Sequence, residues 1–153
     1  MLSFLKPKQQ KFFSHEEEAK IVDAIREAEQ QTSGEVRLYV ESKNRFVDPL
    51  DRAAEIFVQL KMYETANRNA VLIYVAIAHH ELAVYADEGI YKKAGQQFWN
   101  NAVATMIKEF KKDNYAEGLE EVIYKTGQLL KTHFPYDALT DKNELPDDIV
   151  FGK

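Results

Sequence analysis

The groups able to do chemistry in this chain are carboxylates, amides, hydroxyls and a few arginines. None of its 153 residues is cysteine. That removes disulfides, thiolate zinc sites and cysteine nucleophiles, and suits a reducing compartment. No glycine loop with a following lysine could cradle a phosphate, and no organic cofactor is expected. No His-Glu-x-x-His could hold zinc, and no Asp-x-Asp pair offers a carboxylate nucleophile. His79 and His80 are adjacent. Neighbours in a strand or turn point to opposite sides, so they suit an exposed hairpin better than a metal pair. What remains is a set of polar residues at turn positions: Ser33, Glu35, Arg68, Asn69, Asp87 and Glu88. Carboxylate and carbonyl oxygens of this kind suit a hard cation such as Ca²⁺ or Mg²⁺.

The elements around these residues decide whether they meet. Ser14-His-Glu-Glu17 reads as a capping box, followed by Ile21, Val22, Ile25 and Ala28 at helical spacing. The helix should run from about Ser14 to Thr32, with Gly34 in the left-handed position past its end. Val36, Leu38 and Val40 alternate with polar residues, a strand with one buried face. Asp48 and Pro49 open a second helix as cap and first-turn residue. Ala70 to Ala78 is apolar without alternation, which reads as a central strand buried on both faces. His79-His80 reverses the chain into a hairpin strand, Glu81 to Ala86, which Asp87-Glu88-Gly89 terminates. Phe98, Trp99, Ala102, Met106 and Phe110 mark one further helix; Leu119, Val122, Thr126 and Leu130 mark another. Asn114 with Glu117 gives a second capping signal. Gly118 and Gly127 cost helix propensity and suggest close helix approach.

Two strands joined by a helix should be parallel with a right-handed crossover, and the hairpin partner antiparallel. The expected fold is α/β: a small mixed sheet of a parallel β-α-β unit plus an antiparallel hairpin, sandwiched between helices. Residues 14–135 form a single domain, preceded by an arm at 1–13 and followed by a polar, irregular tail at 136–153. This topology gathers Thr32 to Glu35, Asn67 to Asn69 and Asp87 to Gly89 at one end of the sheet. Polar loops are the default, and Arg68 paired with a carboxylate accounts for the same residues without a ligand. The opposite end carries Glu41, Ser42, Asn44, His79, His80 and Asp113, and open α/β sheets usually bind ligands at that end. Both ends therefore stay open.

A net charge of −5 gives no electrostatic reason to seek a phosphate backbone, so no nucleic-acid partner is expected. The start of the chain lacks the apolar core of a secretory signal. The longest apolar run is far shorter than the roughly 20 residues of a membrane helix. A cytoplasmic protein is expected. The arm mixes Lys6, Lys8 and Lys11 with Phe4, Leu5, Phe12 and Phe13. Membrane contact by this arm is weakly supported, and a packed or frayed terminus fits better.

The segments Thr32-Ser-Gly-Glu-Val-Arg-Leu-Tyr-Val40, Arg68-Asn-Ala-Val-Leu-Ile-Tyr-Val75, Ala86-Asp-Glu-Gly-Ile90 and Asp113-Asn-Tyr-Ala-Glu-Gly-Leu119 stand in this order. They resemble the TPM-domain family, over about Phe13 to Phe134. The resemblance implies the helix-covered mixed sheet, binding of divalent cations, chiefly calcium, and adaptor roles toward membrane proteins. A plant member has been assigned acid phosphatase activity. By position, the resemblance points to Asp87 and Glu88 and to the loop Asp113-Asn114. The expected metal set is thus Asp87, Glu88, Asp113 and Glu35, with Arg68, Asn69, Ser33 and Asn114 as further polar residues. Two departures stand out: Asn69-Ala70 where many relatives have Asn-Gly, and Ala86-Asp-Glu-Gly89 where many have a glycine-rich turn. The chain resembles the soluble, bacterial-type branch, without the leader and anchor of many relatives.

The resulting expectation is a binding or accessory domain, calcium-dependent in its fullest form, acting on a protein partner. The alternative is a metal-assisted acid phosphatase, in which a carboxylate-held cation polarises a phosphoryl oxygen and Arg68 steadies charge. A purely structural subunit would fit if the apolar arm packs on another chain.

Overall fold

The computed structural model describes residues 12–44, 48–137 and 148–152. The arm residues Phe4 to Lys11 and the tail residues Asp141, Glu144 and Asp147 lie outside them. Helix α1 (His15–Gln30) starts at the expected capping box. The Glu17 N–H donates to Ser14 Oγ at 3.1 Å, and the Ser14 N–H donates to Glu17 Oε1 at 2.8 Å. Strand β1 (Glu35–Glu41), helix α2 (Pro49–Gln59), strand β2 (Ala70–Ala76) and strand β3 (Glu81–Ala86) follow. Asp48 caps α2 through its side chain, with Pro49 in the first turn. Helices α3 (Glu88–Ala94), α4 (Gln96–Phe110) and α5 (Tyr115–His133) come next, and strand β4 (Val150–Phe151) ends the described chain.

The sheet order is β3-β2-β1-β4. β1 runs parallel to β2 with Glu35 opposite Ala70, and β3 returns antiparallel with Ala86 opposite Val71. All seven residues of β2 are buried, as its unbroken apolar run demands of a central strand. Val71, Ile73 and Val75 face a core built with α1, α4 and α5; Ala70, Leu72, Tyr74 and Ala76 face a second core built with α2. The mixed sheet between helices is the expected fold. Phe13 is buried and Phe12 packs on Tyr115, so the end of the arm is packed.

Four local expectations are corrected. Gly34 is not left-handed: Gln31 ends α1 in right-handed geometry. At Gly34 a Cβ would lie 2.7 Å from Leu130 Cδ2, so glycine admits α5 rather than turning the chain. Asn114 does not cap α5 with its side chain; its amide donates back to Glu109 Oε1 at 3.3 Å. Asp87-Glu88-Gly89 does more than end β3. Asp87 accepts the Glu88 N–H at 2.7 Å and opens α3, a helix absent from the expected order. The tail is not wholly irregular, because Val150 and Phe151 pair parallel with Tyr39 and Val40.

Candidate functional site

The N-terminal end of the parallel strands is where the expected polar cluster assembles. The Ser33 N–H donates to Phe134 O at 3.0 Å, and the Thr32 hydroxyl donates to the same oxygen. These bonds tie the end of α5 to the start of β1. Asn69, buried at the start of β2, donates its side-chain amide to Ser33 Oγ at 3.3 Å. Its Oδ1 is buried without a hydrogen-bond partner. Glu35 is also buried, its N–H donating to Asn69 O at 3.4 Å.

Arg68 takes a left-handed φ of 50°, a conformation with a steric cost for a residue with a Cβ. Its Nε and Nη2 donate to Asp87 Oδ2 and Oδ1 at 2.7 and 2.9 Å, a bidentate pair. Glu88 lies 3.6 Å from Arg68 Nη2. Gly89 donates its N–H to Arg68 O at 2.8 Å. A Cβ at Gly89 would fall 2.1 Å from Asn67 O, so glycine is what lets α3 close on this loop. Ser33, Asn69, Arg68, Asp87 and Glu88 are thereby brought into two adjoining hydrogen-bonded groups. The Asp87 pair raises the Arg68 pKa.

Asp113 and Asn114 are not part of this cluster. Leu130 lies beside Gly34, and Lys93 Nζ sits 4.6 Å from the centre of the Phe134 ring. The C-terminus of α5 is therefore at the Arg68 end. The 19 residues of α5 carry Asp113 and Asn114 about 28 Å away, at 1.5 Å per residue. There Asp113, with φ 62°, accepts the Tyr115 hydroxyl at 3.2 Å. Among the described residues, no three His, Cys, Asp or Glu side chains stand together in a way that could hold a metal ion. The four expected metal residues are divided between the two ends, Asp87, Glu88 and Glu35 at one and Asp113 at the other.

The C-terminal end holds a second buried polar group. Glu41, 4% exposed, accepts from Arg52 Nε at 2.9 Å and Nη2 at 2.8 Å, and from the Tyr74 hydroxyl. Arg52 also pairs with Glu55, and Tyr39 stacks on Tyr74 with ring centres 6.3 Å apart. Burial pushes the Glu41 carboxyl up, but the hydrogen bonds from Arg52 and Tyr74 and the Arg52 charge outweigh it and hold its pKa below the usual value. Burial, then the bond to Glu41, pushes the Tyr74 phenol well up. Sequence reasoning placed Glu41 at this end and missed Arg52 and Tyr74. Tyr74 was detectable as the one residue with a polar tip in an apolar central strand, since a buried phenol hydroxyl needs a partner. Asn44 donates to Glu81 Oε1 at 3.0 Å, and His79 lies 4.0 Å from the same carboxylate. His79 and His80 are exposed, as a hairpin pair should be.

A mixed sheet with three helices on one face and α2 on the other, with Asp87 and Glu41 each closed by an arginine at opposite ends, defines a three-layer α/β domain. The chain belongs to the TPM-domain family: the family model matches residues 7–129. It is similar to the solution structure of the BA42 protein from the psychrophilic bacterium Bizionia argentinensis. Identity is 39% and the TM-score 0.86, over 96% of this chain and 100% of that one. The N-terminal domain of a protein from P. gingivalis shares the fold at 17% identity, TM-score 0.69, over 82% of this chain and 83% of that one. So does the N-terminal domain of the cg2496 protein from Corynebacterium glutamicum, at 10% identity and TM-score 0.57, over 95% and 92%. Among curated proteins, none matches this chain. No helix among the described residues is long and apolar enough to cross a membrane.

Proposed function

We propose that this chain is a binding or accessory domain that acts on a protein partner, and that Ca²⁺ or Mg²⁺ tunes it at the Arg68–Asp87 end. The observation that carries the reading is the state of its buried carboxylates. Both Asp87 oxygens accept from Arg68, and both Glu41 oxygens accept from Arg52. A carboxylate held in a bidentate arginine pair is a poor general base, because its charge is already neutralised. The cation part draws its support from the two carboxylates Asp87 and Glu88 at this end, with the buried Asn69 carbonyl oxygen that has no hydrogen-bond partner. A cation at Asp87 competes with Arg68 for the same oxygens, so binding couples to the loop that carries Arg68.

A backbone amide NMR titration with Ca²⁺ and then Mg²⁺ tests this. Saturable shifts confined to residues 33–35, 68–69 and 87–89 are expected; the absence of saturable shifts at millimolar cation removes the cation from the reading. Phosphatase assays with each divalent metal should stay at background. Metal-dependent turnover that Asp87→Ala abolishes while the fold survives would instead establish the metal-assisted phosphatase.

A further inference from the structure

Among the described residues, the outer edge of β1 is covered only by the two-residue strand β4. The Glu35 N–H points to β2, so the amides of Val36, Leu38 and Val40 point away from it. Glu29 Oε2 accepts the Val36 N–H at 2.8 Å and blocks the near end of this edge. Beyond it β4 contributes two paired residues, extended by the Gly152 N–H donating to Val40 O at 2.7 Å. Phe151 gains little from this position, being 51% exposed, while Ile149 packs against the core beneath α1, α4 and α5. An edge covered by so short a ladder is a template for pairing with another extended segment.

The way the tail sits defines what the edge accepts. Val150 lies opposite Tyr39, so Asp148, two residues earlier, falls opposite Arg37 on the same face. Burial pulls the Arg37 pKa down, opposed by the charges of Asp148 and Glu29, and Arg37 Nε is buried without a hydrogen-bond partner. Gly152 passes over the Tyr39 ring, where a Cβ would lie 2.3 Å from the Tyr39 hydroxyl oxygen. We propose that the outer edge of β1 docks an extended segment of a protein partner, which pairs in the register of Asp148–Gly152 and takes their place. The segment carries a carboxylate opposite Arg37, an apolar residue at the position of Ile149 and a small residue over Tyr39. This rests on the binding-domain reading and names how the partner is held.

The test uses the full chain and a fluorescein-labelled peptide of its own residues 145–153, added in trans. Gly152→Val drives the tail off Tyr39, so that chain should bind the peptide about tenfold tighter than the native one, a shift of about 1.4 kcal/mol. Amide shifts should fall on residues 36–41, and Asp148→Asn in the peptide should weaken binding several-fold. In the native chain the Gly152 amide should exchange with solvent about a hundredfold faster than that of Ile73, because it opens locally. Equal affinity in both chains, shifts away from 36–41, or a Gly152 amide as slow as Ile73 overturns the docking edge. Such a failure with phosphatase activity at background leaves the binding-domain reading standing. Metal-dependent turnover overturns that reading whatever the peptide does.

Discussion

Glu41 is a charge held inside the protein by Arg52 and Tyr74, and removing it should cost stability in a pH-dependent way. Breaking a buried ion pair by deleting one partner leaves the other uncompensated; Arg52 keeps Glu55 and is 22% exposed, so Glu41→Gln should cost about 2–3 kcal/mol in urea unfolding. The sign of the pH dependence follows from a folded pKa below the ordinary 4.5. Between the folded and unfolded values the unfolded chain binds the extra proton, so stability rises with pH there. The native chain should lose this contribution as pH falls below about 4.5, and Glu41→Gln should lack that part of the loss. The pair was hidden in the sequence because Glu41 and Arg52 lie in different elements. Their meeting depends on α2 folding back over the sheet. The Arg68–Asp87 pair was more legible: two turn segments at the ends of neighbouring strands must meet once the strands pair.

At the scale of elements, α5 depends on two glycines that let it approach its neighbours. A Cβ at Gly127 would lie 2.7 Å from Ala28 Cβ in α1, and one at Gly118 would lie 2.9 Å from Glu109 Cβ in α4. Gly127→Ala gains about 1 kcal/mol of helix propensity and loses about 1–3 kcal/mol by overpacking. Thermal or urea unfolding should show a net loss of about 1 kcal/mol, because a buried Ala28 backbone lies behind the clash. The close approach was legible as two poor helix formers inside a strong helical pattern. Helix α3 was missed although its end signals stand in the sequence: Asp87 as cap, Glu88 in the first turn, and Lys92 and Lys93 in the last. Its seven residues read as a turn because they carry too few apolar positions to show a period. Strand β4 has no local signature at all, since two residues become a strand through the open edge of β1.

Across the whole molecule, β2 belongs to both cores, with alternate residues facing α2 and the α1–α4–α5 layer. Neither core can melt without releasing the strand that the other needs. The protein should therefore unfold in one transition. Fluorescence of Trp99, buried in α4 and packed on Phe98, should coincide with far-UV circular dichroism through a urea titration. Separate midpoints would show that the two layers fold independently.

The amino-acid sequence by itself determined the long periodic elements, their order and their pairing, because hydrophobic period and caps act within a few residues. The capping box at Ser14, the cap and proline at Asp48-Pro49, and the unbroken apolar run of β2 each dictate local structure wherever the chain goes. Tertiary structure alone decided which carboxylate meets which arginine. It also turned Val150 and Phe151 into a strand. Those outcomes depend on contacts between residues far apart in the chain, whose energies exist only after the sheet and its helices have closed.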